Sequence, residues 1–191
     1  LLASSAASDV YKRQTDDLVR SRLTVFFRLI LFIPLGLWAA FWSIAVFFAV
    51  IVAWVVAVFT GRVPNSLHAF MSQYTRFVTH INAYVWIAAN PYPGFLGDSS
   101  YPVDVEIADP APQSRLTVFF RLILAIPALI VTNVLQNVAW IVALFAWFLT
   151  LFTGRMNKGM EDLLCYIVRY QTQTYGYVLL LTQRYPSFSD D

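Results

Sequence analysis

The sequence predicts an all-α integral membrane fold, built as a tandem repeat of one helical unit. Three observations lead there. Two runs, 29–59 and 122–152, each hold 31 residues without a charged side chain, and about 20 apolar residues of helix suffice to cross a hydrocarbon core of about 30 Å. The chain is 59% hydrophobic and 13% charged, against roughly 45–50% and about 25% in ordinary globular chains, and the missing charge is missing from those two runs. Finally, the eleven residues SRLTVFFRLIL at 21–31 recur unchanged at 114–124.

The repeat extends well past that block. At the same spacing of 93 positions, Ile33-Pro34 falls on Ile126-Pro127 and Ala53-Trp54 on Ala146-Trp147. Phe59-Thr60-Gly61-Arg62 falls on Phe152-Thr153-Gly154-Arg155, Arg76 on Arg169, and Tyr84-Val85 on Tyr177-Val178. Tyr92-Pro93 and Phe95 meet Tyr185-Pro186 and Phe188. The units run over roughly 15–95 and 101–188. Correspondence fails at the front. Tyr101–Ile107 alternates apolar and polar residues like a short strand, whereas its counterpart, Ser8–Gln14, shares only Val10. Residues 1–14 (LLASSAASDVYKRQ) resemble translated sequencing adapter. They are too broken by serine for a signal peptide, and are set aside as an artefact that replaced the true start.

Each unit reads as three helical pieces. Residues 21–33 place Leu23, Phe26, Phe27, Ile30 and Leu31 on one side, between Arg22 and Arg28, as suits a helix lying in the headgroup region. Pro34 and Pro127 then serve as breaks; the alternative is that the helix continues across a kink. Spanning helices follow at about 35–59 and 128–152, with Gly61 and Gly154 as candidate C-caps. The third pieces, 66–89 and 159–182, are amphipathic. In the first, Ser72, Gln73, Arg76, Thr79 and His80 share one face and Met71, Tyr74, Val78, Ile81 and Val85 the other. Such a helix either lies on the membrane or crosses it with the polar stripe turned toward other helices.

Near-identical arginine-flanked segments should prefer one side of the membrane, which favours an even number of crossings per unit. Four crossings put Lys12, Arg13, Arg20, Arg22, Arg28, Arg115, Arg121 and Arg184 on one side and Arg62, Arg155 and Lys158 on the other. That bias makes the side of both termini cytoplasmic, and two crossings lead to the same orientation. Tyr84, Tyr92 and Phe95, with Tyr177, Tyr185 and Phe188, are expected where the chain leaves the membrane.

Few residues point to chemistry. Arg76 and Arg169 occupy the same place in each third piece; with His80 they are candidates for binding an anion or a lipid headgroup, the other reading being arginines at headgroup level on a flat helix. Asn133, Gln136 and Asn137 interrupt the second apolar run and are expected to make helix–helix polar contacts, within the chain or across an oligomer, the other reading being a substrate site. His68 and His80 lie twelve apart without a converging ligand set, so no metal is expected. The single cysteine, Cys165, reads as an apolar filler. Asp98, Asp104, Glu106 and Asp109 cluster in the linker as a solvated strand and loop. No nucleophile elbow, Walker loop or dinucleotide fingerprint is present, and a net charge of +2 gives no footprint for nucleic acid. No catalytic residue and no cofactor are therefore expected.

Tyr101-Pro102-Val103, FRLILAIP at 120–127, Phe152-Thr153-Gly154-Arg155, Arg169 and Tyr185-Pro186 with Phe188 together resemble the bacterial family labelled domain of unknown function 4389. Both copies match, over nearly everything after residue 20. The chain departs from the family pattern at the missing first strand, and where Asn157-Lys158-Gly159 replaces the turn kept as Val63-Pro64-Asn65. The resemblance implies a bacterial membrane location and supplies no activity. The expectation is a non-enzymatic, multi-pass protein of the bacterial inner membrane, a scaffold or accessory subunit. Its partners would be lipids and a second copy or another membrane protein. The alternative is a small transporter or lipid-handling protein with an internal polar site at Arg76 and Arg169.

Overall fold

Helix follows the apolar periodicity through both units. The computed structural model describes residues 10–13, 18–97 and 100–188. The elements are β1 (Val10–Arg13), α1 (Arg22–Thr60), α2 (Asn65–Val85), β2 (Val103–Glu106), α3 (Arg115–Phe119), α4 (Arg121–Thr153) and α5 (Lys158–Val178). Of residues 1–14, all but Val10–Arg13 lie outside the described residues.

The separate interfacial helix expected at 21–33 does not form. Ser21 caps α1 by accepting from the Thr24 amide, and the helix then runs 39 residues straight through Pro34. Proline removes one helical hydrogen bond, and the surrounding apolar stretch offers the backbone no polar alternative, so the helix carries on. In the loosened turn the Tyr92 hydroxyl donates to the Leu31 carbonyl at 3.3 Å. In the second unit the break falls at Phe120, between α3 and α4, and Pro127 again sits inside a helix.

Both long helices stop in the same way. Gly61 (φ 74°) and Gly154 (φ 73°) adopt the left-handed conformation, and each amide closes on a carbonyl four residues back. The Thr60 hydroxyl lies 2.8 Å from Val56 O and accepts from the Arg62 amide at 3.2 Å; Thr153 repeats this with Leu149 and Arg155 at 2.7 and 3.2 Å. The duplicated Thr-Gly-Arg is thus a helix-stop device, with glycine supplying the positive φ.

Helices α2 and α5 end about four residues earlier than their periodicity suggests, in turns carrying Ile87 at φ 62° and Leu180 at φ 63°. A β-branched residue there is an outlier. It is held by the Ala89 amide on Ala83 O, as Leu180 is by the Leu181 amide on Gly176 O, both 2.9 Å.

The units are interlocked by a pseudo-two-fold axis. Trp54 Nε1 donates to Val118 O at 2.9 Å and Trp147 Nε1 to Val25 O at 2.8 Å. The Gln113 amide donates to Gly61 O at 2.7 Å and the Arg20 amide to Gly154 O at 3.0 Å. The start of each long helix therefore lies at the end of the other, and α1 runs antiparallel to α3–α4. Helices α2 and α5 also cross antiparallel, with the repeat-equivalent Thr79 and Thr172 hydroxyls hydrogen-bonded at 2.8 Å on the axis. The strands obey the same symmetry. β1 pairs antiparallel with β2, Val10 opposite Glu106 and Arg13 opposite Val103. Val10–Arg13, set aside with the adapter-like segment, occupies the repeat position of β2, because a ladder is built from main-chain groups and does not require the side chains of its repeat partner.

The result is layered: α1 with α4 on one side, α2 with α5 in the middle, and the strand pair over α2 and α5. Gly61→Ala and Gly154→Ala should each cost roughly 1 kcal/mol, since alanine resists positive φ. Thermal unfolding of each variant in detergent checks this, and an unchanged midpoint contradicts the helix-stop role.

Candidate functional site

Two features stand out, one inside the protein and one on its surface. The inner one is a pair of buried arginines. Arg28 and Arg121, expected at the headgroup flank, are 1% and 0% exposed. Arg28 Nη1 donates to Tyr84 O and Ala89 O, and Arg121 Nη1 to Tyr177 O and Thr182 O at 2.8 and 2.7 Å. Each guanidinium lies over the ring of the same tyrosine, 4.3 and 4.5 Å from the centroid. These side chains bind the carbonyl ends of α2 and α5, where the helix dipole is negative. Tyr84 and Tyr177, expected at the membrane interface, are instead buried platforms. Tyr92 and Tyr185 stand edge-on to them.

The second unit satisfies its arginine better. Arg121 Nη2 donates to Gln113 Oε1 at 2.9 Å, and Gln113 Nε2 to Leu180 O at 2.7 Å. The equivalent of Gln113 is Arg20, whose cation cannot accept. It turns to Glu161 at 3.4 Å instead, and Arg28 Nη2 has no hydrogen-bond partner among the described residues.

The candidate anion-binding residues divide. Arg76 and His80 converge on the linker strand: Arg76 Nε and His80 Nε2 both lie 3.0 Å from Asp104 Oδ1, and Arg76 Nη2 donates to Val105 O at 3.0 Å. His80 also stacks on Tyr101 at 4.5 Å. Burial alone would push the Asp104 carboxyl up. The His80 hydrogen bond, the Val105 amide and the Arg76 charge together outweigh it and hold the carboxyl below its ordinary 3.8. The anion these residues bind is therefore the chain's own. Arg169 lies across from the same strand, sharing a small cavity with Val105. That cavity, of about 10 Å³, is also lined by Thr75, Thr172 and Gln173, space for about one water molecule.

Among the described residues, no hydrogen bond joins Asn133 or Asn137 to another helix. Asn137 Nδ2 donates to Asn133 O at 2.8 Å along their own helix, and both residues are exposed; Gln136 is only half-buried. The helix–helix contact is made one residue away, by Thr132 to the Thr174 hydroxyl at 2.9 Å. His68 Nε2 lies 3.3 Å from Leu181 O, and burial pushes its imidazole pKa down. No group of three or more His, Cys, Asp or Glu among the described residues could hold a metal ion. Cys165 is buried.

The outer feature is the surface of α1 and α4. They are the two helices, among the described residues, long and apolar enough to cross a membrane. Helices α2 and α5 are not, so the sequence's four-crossing arrangement finds two candidate spans. A core helix of a water-soluble protein is mostly buried; here only 17% and 22% of the most apolar windows are. Leu37, Phe41, Ile44, Phe47, Phe48 and Ile51 on α1 are all exposed, and α4 matches them. Toward its C-terminal half the hidden stripe of each is rich in alanine (Ala49, Ala53, Ala57; Ala139, Ala143, Ala146), which lets backbones approach closely.

Arg28→Leu or Arg121→Leu strands two buried helix-end carbonyls and should cost about 3 kcal/mol or more. Arg76→Leu, half-exposed, should cost clearly less, and urea unfolding in mild detergent ranks them. Because the Asp104 pKa is depressed on folding, its contribution is complete above 3.8 and is lost as pH falls below that value. Asp104→Asn should flatten this acid limb in a melting series against pH.

A family model described as "Domain of unknown function (DUF4389)" matches residues 22–97 and again 115–190. No curated protein and no solved structure matches the chain. With two tandem matches covering most of its length, the chain belongs to the DUF4389 family.

Proposed function

We propose that the chain is a non-enzymatic protein of the bacterial inner membrane, a scaffold or accessory subunit, with both termini on the cytoplasmic side. One observation carries the reading. The broad apolar surface of α1 and α4 has no cover among the described residues, while the buried charged groups are engaged in holding the fold. Arg28 and Arg121 close helix ends, Arg20 meets Glu161, and Asp104 meets Arg76 and His80. An apolar surface of this extent marks a membrane or partner interface. Lipids and a second copy or another membrane protein are the partners that suit it.

A second reading, lipid handling, draws support from a groove of about 320 Å³ bounded by Leu29, Val85, Ile87, Trp140, Ala143 and Trp147. It does not draw support from Arg76, which is committed to Asp104. Native mass spectrometry that finds one tightly held lipid per chain favours this second reading.

The chain should float with vesicles in a density gradient and should aggregate when detergent is removed. A monodisperse monomer in detergent-free buffer refutes the membrane reading. Crosslinking in intact membranes should yield a discrete adduct with a second copy or another membrane protein, and its absence removes the scaffold role.

A further inference from the structure

The direction of the helices constrains how such a protein can sit in lipid. Between α2 and α3 the chain runs from 86 to 114 without a helix. Its two ends lie at the two ends of α1: Tyr92 bonds Leu31 and the Trp38 indole donates to Phe95 O toward the start, and the Gln113 amide reaches Gly61 at the stop. Midway it forms β2, pinned by Arg76 and His80 through Asp104 and paired with β1. The strand pair therefore lies halfway along the helices, on the side of the axis away from α1 and α4.

If α1 and α4 stood across a bilayer, this irregular segment would lie at the depth of the hydrocarbon. Exposed Glu106 and Asp109 and the outer edges of the strand pair would face lipid, where backbone polar groups have no water to bond and charge is strongly disfavoured. Length argues the same way. The 31-residue uncharged run of α1 is about 46 Å long. Fitting it into about 30 Å of hydrocarbon needs a tilt of roughly 50°, beyond the usual range of up to about 40°.

Turning the axis along the membrane normal removes both conflicts. The apolar layer then faces lipid along its whole length, and the strand layer faces water. Arg22, Arg62, Arg115 and Arg155 are exposed, and none has an acidic partner among the described residues. They sit at the two ends of the helix pair. A Cβ at Gly61 would lie 3.8 Å from Arg115 Nε, and one at Gly154 would lie 3.4 Å from Arg22 Nε. Two-fold symmetry puts both ends at one depth, where arginines meet anionic headgroups. The duplicated FFRLIL segments then share one side of the membrane, as their likeness demands, without any crossing.

We infer that the protein is monotopic: α1 and α4 lie side by side within one leaflet of an anionic bilayer, and α2, α5 and the strands stand in the cytoplasm above it. This rests on the membrane reading and replaces the multi-pass arrangement expected from hydropathy.

Asn65→Cys and Lys158→Cys test it. Both are exposed, repeat-equivalent positions at opposite ends of the bundle, and the unsubstituted chain with its buried Cys165 gives the background. Right-side-out and inverted membrane vesicles from the expressing bacterium are treated with a membrane-impermeant maleimide. Both cysteines should react in inverted vesicles and neither in right-side-out ones. Reaction of one cysteine in each preparation overturns the in-plane arrangement and leaves membrane residence intact; a chain absent from the vesicles overturns both. Nitroxides at Leu37→Cys, Ile44→Cys and Ile51→Cys, all exposed on one face of α1, give a second measurement in phosphatidylcholine–phosphatidylglycerol vesicles. Equal depths are expected. Steps of about 10 Å between successive sites, the helical rise over seven residues, indicate a crossing helix instead.

Discussion

The structure depends on a buried guanidinium that closes the carbonyl end of a neighbouring helix. Arg28 does this for α2 and Arg121 for α5, each stacked on the tyrosine whose carbonyl it binds. Placing a cation in an apolar interior is costly. Here the negative end of a helix dipole, two carbonyl acceptors and an aromatic face offset that cost at once. The contact also decides where α2 and α5 end. Beyond Val85 and Val178 the chain turns through a left-handed residue and presents a second carbonyl, Ala89 or Thr182, to the same arginine. An arginine inside an otherwise apolar helix is thus a connector between two helices of one unit.

A second set of contacts joins the units. Each long helix gives its tryptophan indole to a carbonyl at the start of the other, and each Thr-Gly-Arg turn accepts an amide from the segment that opens the other unit. These exchanges are reciprocal, so neither unit completes its own helix ends. Exact symmetry is broken where side chains differ. Gln113 supports Arg121 by accepting from it, whereas Arg20 in the same place finds Glu161, the counterpart of His68. Arg76 and His80 tie α2 to the linker through Asp104, at a position where the aligned residue of β1 is Tyr11.

Much of this was legible in the residues. The repeat, the glycine stops at Gly61 and Gly154, the strand before the second copy and the apolar character of both long helices follow from local pattern. The partners of polar groups were not legible. Arg76 was readable as an anion-binding group, but that its anion is Asp104 depends on the path of a linker with no helical period. The flanking position of Arg28 and Arg121 suggested a headgroup role, and only the approach of Tyr84 and Tyr177 from 56 residues away buries them. Asn133 and Asn137 carry the chemistry for a helix contact and face outward from this chain, while the contact inside it is made by the less conspicuous Thr132.

By itself the sequence determined what each stretch is made of: two greasy helices, two amphipathic ones, a duplicated unit and the family to which it belongs. Those properties are local, carried by spacing along one chain. Only the tertiary structure decided direction: that α1 and α4 are antiparallel, that the axis relating them passes through the strands, and that one side of the bundle is apolar and the other polar. Hydropathy is blind to this because it counts residues along a helix and contains nothing about which neighbour lies alongside, or which way that neighbour runs.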